Sequence, residues 1–171
     1  MKIKYSLNLM NILFSTPSFL PWVNGITYRV KMMIDYFEKH NCKVTIVTSY
    51  KKSVKKYKNS NIYILPSKRL PNILGGKKYK NNYIYKNNLE NIIEEICNNH
   101  KIDIIHIFGP DKVNSFIKAS KKIKIPLVGS YNTEVDLFFS EVMKIPKNMS
   151  KYFVLISQYY CKWHQIKTIF L

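Results

Sequence analysis

An Asn-Gly pair, Asn24-Gly25, separates an apolar run that reaches Phe14 from an amphipathic stretch carrying Arg29. A glycine there lets backbone N–H groups approach a ligand closely, and an arginine one turn further on can meet an anion. The same pair also makes ordinary turns, and Arg29 fits a solvated helix face equally well. A second group is Tyr131, Asn132, Thr133 and Glu134, which follow another apolar run and line up hydroxyl, amide and carboxylate groups. Glu134 and Asp136 have the spacing of a carboxylate pair, although two acids on a loop are usually just solvated. His106 lies inside the run DIIHIF at 103–108. Strand alternation does not decide its face, and it reads as a satisfied core histidine rather than a ligand. His40, His100 and His164 fall at helix ends or on the tail. No HExxH, Cys/His cluster or nucleophile elbow is present, which argues against zinc or serine-nucleophile chemistry.

The elements that must position these residues follow from hydrophobic period. Residues 10–14 form a first strand. Ile26, Val30, Met33, Ile34 and Phe37 share one face of a helix. Val44 to Val47 is a β-branched run after the His40-Asn41 break. Strand, glycine loop, helix and strand make a βαβ unit, and such sheets bind ligands beyond the strands' carboxyl ends. Residues 51–88 are the irregular part, with eleven Lys or Arg, no acid and interleaved tyrosines. Within them, 61–65 reads as a short strand. Leu89, Ile92, Ile93, Ile96 and Cys97 predict a helix with Asn88 as N-cap. Residues 103–108 read as a strand buried on both faces. Asp111 is placed to cap a helix with Val113, Phe116, Ile117 and Ser120 on one face. Residues 126–130 are a further strand, and 131–134 a polar turn at its carboxyl end. The tail, 151–171, predicts an amphipathic helix from Tyr152, Ile156, Tyr159, Trp163, Ile166 and Phe170. Such a stripe packs on its own domain or a partner, or lies in a membrane interface. The fold class is therefore α/β, Rossmann-like, with a mostly parallel sheet flanked by helices.

Composition narrows the classes. The 171 residues suffice for one domain with a core of its own, and at 46% hydrophobic the chain is not a disordered one. Three scattered cysteines, Cys42, Cys97 and Cys161, suggest reduced thiols rather than a disulfide framework. The net charge of +18 comes almost entirely from lysine. Lys, Asn, Ile and Tyr share A/T-rich codons, so coding bias accounts for this charge as well as attraction to an anionic partner does. No recognition module for nucleic acid accompanies it, so no specific nucleic acid is expected. No stretch reaches the roughly 20 apolar residues of a membrane span. The N-terminus imitates a weak signal peptide, but asparagines interrupt its apolar run and no small-residue cleavage site follows.

Three motifs together resemble the N-terminal domain of the family 4 retaining glycosyltransferases of the GT-B class. Residues 21–48 follow the family's proline loop, V-N-G, helix and terminal V-T. Residues 103–110, DIIHIFGP, resemble D-I-I-H-x-x-x-P. Residues 125–133, IPLVGSYNT, resemble I-P-x-V-x-S-Y-H-T. Within the family, the sulfoquinovosyl-diacylglycerol synthase and phosphatidylinositol mannosyltransferase branch looks most similar. The resemblance implies one half of a GT-B fold: an acceptor-side domain over 8–145 with a basic insertion at 51–88. The second, donor-binding domain is absent and is expected in cis or in trans.

It further implies transfer of a sugar, with retention, from a nucleotide-sugar donor (UDP- or GDP-sugar) to an acceptor, a membrane lipid such as diacylglycerol or a glycan. No other cofactor and no metal are implied. Asn24 and Gly25 would meet the donor diphosphate. Arg29, Tyr131, Thr133 and Glu134 would line the substrate pocket. Asn132 stands where the family has a histidine that contacts the transferred sugar; it can hydrogen-bond a sugar hydroxyl but cannot act as acid or base. The basic insertion would draw the enzyme to anionic headgroups. The resemblance, rather than composition, implies a peripheral protein on the cytoplasmic or organelle-stromal face of a membrane. By itself the chain is expected to be inactive. The competing expectation is a catalytically inactive relative that binds a partner or a membrane.

Overall fold

The computed structural model describes residues 10–69, 83–86, 88–109, 113–131 and 167–170. In chain order these form β1 (Asn11–Thr16), α1 (Gly25–Lys39), β2 (Lys43–Thr48), β3 (Lys56–Tyr57), β4 (Ser60–Ile64), β5 (Ser67–Arg69) and β6 (Tyr83–Tyr85). Then come α2 (Glu90–Asn99), β7 (Ile104–Phe108), α3 (Val113–Ile123), β8 (Leu127–Tyr131) and β9 (Lys167–Phe170).

One sheet runs in the order β3-β4-β2-β1-β7-β8-β9. Every neighbouring pair from β4 to β9 is parallel, and only the edge strand β3 is antiparallel. The winding starts at β1, moves one way to β2 and β4, and later moves the other way through β7, β8 and β9. This is the doubly wound Rossmann order, whose direction reverses between β1 and β7. Connections leave that point in opposite directions, so a crevice opens beyond the carboxyl ends of β1 and β7.

The two faces are covered by different helices. Ile12 and Phe14 point to the α1 face, where Val30 and Ile34 are buried against them with Val44, Ile46, Ile62 and Phe108. Leu13 points the other way, into a core with Val47, Ile105, Ile107, Ile93 of α2 and Phe116 of α3. Burial on both faces explains why β1 and β7 read as near-continuous apolar runs. The expected helix faces hold: Val113, Phe116, Ile117 and Ser120 are all buried.

Each helix ends alike. Within two residues of each helix end one residue takes a left-handed φ: Asn41 at 60°, Lys101 at 49° and Lys124 at 57°. The next amide then reaches back to the last turn, as in Cys42 N to Phe37 O at 2.9 Å, Ile102 N to Cys97 O at 2.9 Å and Ile125 N to Ser120 O at 3.1 Å.

Several sequence expectations need correction. Lys167–Phe170 is not the end of a helix: it is β9, paired in parallel with β8 from Val128↔Lys167 to Tyr131↔Phe170. The rest of the tail lies outside the described residues. Tyr131 ends β8 rather than opening a turn. Asn88 is not the cap of α2; it adopts φ 59°, and Leu89 occupies the cap position without a side-chain bond. The lysine-rich segment is less irregular than its composition suggests. It supplies β3, β4 and the β5–β6 pair, because buried Ser60, Ile62, Leu65, Ser67 and Tyr85 are interleaved with exposed residues such as Asn61, Tyr63, Lys68 and Lys86.

Tyr85 shows what this segment does. Its side chain is fully buried, and its hydroxyl lies 3.2 Å from Ser15 Oγ and from the Thr16 carbonyl, and 3.1 Å from the Val47 carbonyl. Its one proton is shared between the two strand-end carbonyls, which leaves it to accept from Ser15 Oγ, and so it pins the carboxyl ends of β1 and β2 together. Tyr85→Phe removes that hydroxyl and leaves buried polar groups short of a partner. We expect a loss of about 1–3 kcal/mol, measured as a lower urea midpoint at unchanged slope. An unchanged midpoint would mean the strand ends are held without it.

Candidate functional site

The loop from Thr16 to Gly25 forms one wall of the crevice, and its shape is held by its own polar groups. Thr16 Oγ1 donates to the Ser18 carbonyl at 2.8 Å. Asn24 caps α1: its Oδ1 accepts from the Thr27 amide at 2.9 Å, and its Nδ2 donates to Ser18 Oγ at 2.9 Å. Thr27 Oγ1 donates to the Trp22 carbonyl at 2.9 Å. The Leu20–Pro21 peptide is cis. Phe19 is fully buried and meets Tyr57 edge-on at 5.7 Å. Ser49 Oγ donates to the Pro17 carbonyl at 3.0 Å, and the Val54 amide to the Leu20 carbonyl at 2.9 Å. Both ends and the middle of the loop are therefore tied to the domain.

This bracing alters the expected role of Asn24. Its side chain is committed to the cap and the loop. What faces outward is the first turn of α1, whose leading amides have no intrahelical partner to meet. Gly25 is the first residue of the helix, and a Cβ built there would meet nothing within 4 Å. Gly25 has no left-handed backbone to explain it; its lack of a side chain leaves the helix end open to approach. The first turn carries no acidic residue to compensate the positive end of the helix.

The far wall comes from β7 and β8. Gly109 ends β7 with φ 96°, a conformation open to glycine, and its amide donates to the Ser130 carbonyl at 3.1 Å. His106 is part-buried, level with Phe14 in the sheet register. Its ring stacks on Phe108 at 4.4 Å and 14°, and meets Phe14 edge-on at 5.6 Å. Its Nε2 lies 3.0 Å from Ser130 Oγ. Burial pushes this imidazole down to about 4, with the nearby Arg29 guanidinium adding to the effect. His106 is thus neutral at neutral pH, and the Arg29 charge is near enough to disfavour its protonation.

Of the residues singled out in the sequence, the fold gathers Asn24, Gly25 and Arg29 at the start of α1. It places Tyr131 at the carboxyl end of β8, on the same edge of the sheet. Asn132, Thr133 and Glu134 lie outside the described residues. Sequence reasoning missed Ser130 and its bond to His106. The pairing Phe108↔Ser130 is a register between distant segments, and no local pattern encodes it. His106 is satisfied, as expected, but it sits beside the crevice rather than in the deep core. Among the described residues no group of His, Cys, Asp or Glu is placed to hold a metal ion. Cys42 and Cys97 are free and buried, and burial pushes the Cys97 thiol up to about 12.

The same architecture is found in solved structures. The chain is similar to a glycosyltransferase from Rickettsia africae ESF-5, with 17% identity and a TM-score of 0.52 over 95% of this chain and 42% of that one. It is similar to MurG from Acinetobacter baumannii, with 14% identity and a TM-score of 0.50 over 79% of this chain and 40% of that one. No protein-family model and no curated protein matches it. These likenesses define the class by fold: a Rossmann-like α/β domain built as one half of a GT-B fold. The chain spans 42% and 40% of the length of those two proteins. Among the described residues no helix is long and apolar enough to cross a membrane.

Two measurements test the site's construction. Asn24→Ala removes the helix cap and the brace to Ser18, and should cost about 1 kcal/mol, within a range of roughly 0.5–2; denaturant unfolding of the variant checks this. His106 gives a pH signature. Its imidazole lies near 4 when folded against 6.5 unfolded, so the unfolded chain binds the proton more readily. Its effect on stability is nil above about pH 6.5, and stability falls as pH drops toward 4, by about 3 kcal/mol at the limit. His106→Asn should flatten that part of the stability curve. The same slope in wild type and variant would contradict the assignment.

Proposed function

We propose that this chain is the acceptor-side half of a retaining glycosyltransferase. It takes part in moving a sugar from a UDP- or GDP-sugar to a membrane lipid such as diacylglycerol. The observation that carries this is the open, acid-free first turn of α1 at Gly25, set at the switch point of a GT-B-type half-fold. Helix N-termini at such positions suit a diphosphate. In this reading the backbone at Asn24 and Gly25 approaches the diphosphate, and the side chain of Asn24 only shapes the loop. Arg29 supplies a fixed positive charge for phosphate or headgroup. Neutral His106 and Ser130 offer uncharged hydrogen-bonding groups beneath it.

In this reading Tyr131, Thr133 and Glu134 contact the substrate, and Asn132 holds a sugar hydroxyl without moving a proton. The sulfoquinovosyl-diacylglycerol synthase and phosphatidylinositol mannosyltransferase branch remains the nearest in motif, through Asn24-Gly25, Arg29 and S-Y-x-T at 130–133. The remaining donor contacts belong to a second domain, in cis or in trans. Asn132 favours a second reading, in which the domain binds a partner or a membrane and transfers nothing.

The test is direct. The isolated chain should give no turnover of UDP- or GDP-sugars with diacylglycerol vesicles, yet should bind a nucleotide sugar weakly in calorimetry. Gly25→Val, which fills the open space, should weaken that binding about ten-fold or more. Turnover by the isolated chain would overturn the half-site account. Absence of nucleotide-sugar binding would hand the chain to the second reading.

A further inference from the structure

Large apolar side chains are exposed along one line of α1. Tyr28 is 61% exposed, Met32 57% and Tyr36 54%. At steps of four these three share one face of the helix, opposite the buried Val30 and Ile34. The ridge is symmetric about its centre. Met32 has one tyrosine four residues before it and another four residues after it. Read from either end, the face presents Tyr, Met, Tyr.

The charges of α1 are ordered along its length. Arg29 and Lys31 lie in the first half, Asp35 and Glu38 in the second, and Lys39 closes the helix. Apart from Lys39, this order runs against the helix dipole, which favours acids at the start and bases at the end. It therefore brings the helix itself nothing. Lys31 and Asp35 are four apart, each one residue before a ridge residue, so they share one flank of the ridge. Asp35 pairs with Lys58, but both side chains are about half exposed, and a surface pair of this kind exchanges readily. Two carboxylates on this helix make its face a poor match for an anionic surface.

A face that is symmetric in shape and ordered in charge fits a copy of itself laid antiparallel. With a two-fold axis at Met32, the methionines meet each other, and Tyr28 comes level with Tyr36 of the second copy. The same flanks face each other. Lys31 then comes within two residues' rise, about 3 Å along the axis, of the level of Asp35 of the second copy. A parallel pairing sets opposite flanks together and loses this match. Ridges built on steps of four also interlock in the commonest helix crossing.

We infer that the Tyr28–Met32–Tyr36 ridge joins two copies of this chain, paired antiparallel about Met32. The three side chains offer roughly 300–400 Å² per copy, against the ~800 Å² that a standard interface takes from each partner. The pairing is therefore reversible, with a dissociation constant on the order of 100 µM. Because α1 starts at the crevice, it sets the two crevices at opposite ends of the helix pair.

The experiment is sedimentation equilibrium of the full chain without lipid or nucleotide sugar. Salt of about 0.3 M screens the net charge of +18, which otherwise holds copies apart. The average mass of wild type should climb from one chain toward two as concentration nears ~1 mM. Met32→Lys and Met32→Glu each set like charge on like at the axis, and each should weaken association about ten-fold or more. Mixing the two variants should restore it, since each then meets the opposite charge. Circular dichroism checks that each variant is folded. Asn114→Lys, the same added charge on an exposed position of α3, should leave association unchanged.

A chain that stays monomeric throughout would overturn the proposal and leave the ridge to another partner. So would Met32 variants that associate like wild type, a mixture that stays monomeric, or an equal loss from Asn114→Lys. None of these outcomes touches nucleotide-sugar binding in the crevice, so the two readings fail separately.

Discussion

The two-sided pairing of β1 is the constraint on which the crevice depends. β1 is hydrogen-bonded to β2 on one edge and β7 on the other, and is covered by α1 on one face and by the α2–α3 layer on the other. Phe14 joins two of these contacts. Its ring meets Phe37 of α1 at 6.0 Å and Phe108 and His106 of β7 at 5.3 and 5.6 Å. A strand held on four sides cannot shift register without moving its whole apolar set to the wrong face. The carboxyl end of β1 is therefore a fixed point, and the loop leaving it has a fixed start. Tyr85 reinforces that point from a segment whose composition suggests only surface.

From that point the polar groups divide their work. Asn24, Ser18 and Thr27 hydrogen-bond with one another and with the backbone, so they shape the loop. Among the described residues, Gly25 is exposed at the start of α1, and His106 pairs with the buried Ser130 within reach of the Arg29 charge. A neutral histidine beside an arginine is a consistent arrangement. A second buried cation there would be repelled by the first, and burial already disfavours it. Among the described residues the first turn of α1 carries no acid and the Arg29 charge is felt at His106, an electrostatic setting that suits an anion.

Much of this was legible in the sequence where the determinants are local. The 3.6 period of Ile26, Val30, Met33, Ile34 and Phe37 marks α1, and the apolar runs mark β1, β2, β7 and β8. The place of Asn24-Gly25 at the start of α1 was legible for the same reason, since the pair sits between two clear elements. The remainder depends on distant partners. Residues 167–170 satisfy the end of a helical stripe, yet their backbone pairs with β8, and tertiary pairing overrides the period. The lysine-rich strands hide their buried residues among charges. Asn88 is a good cap by type, but its left-handed backbone places Leu89 at the cap position instead. The His106–Ser130 bond requires the β7–β8 register, which neither segment carries alone.

The central claim is that the start of α1 receives the phosphates of a nucleotide sugar. Amide chemical-shift mapping of the isotopically labelled chain, titrated with UDP- and GDP-sugars, tests it most directly. The largest shifts should fall on the Gly25 and Ile26 amides, with smaller ones at Arg29, Gly109 and Ser130. Saturable shifts confined to another surface, with Gly25 and Ile26 unmoved, would contradict it.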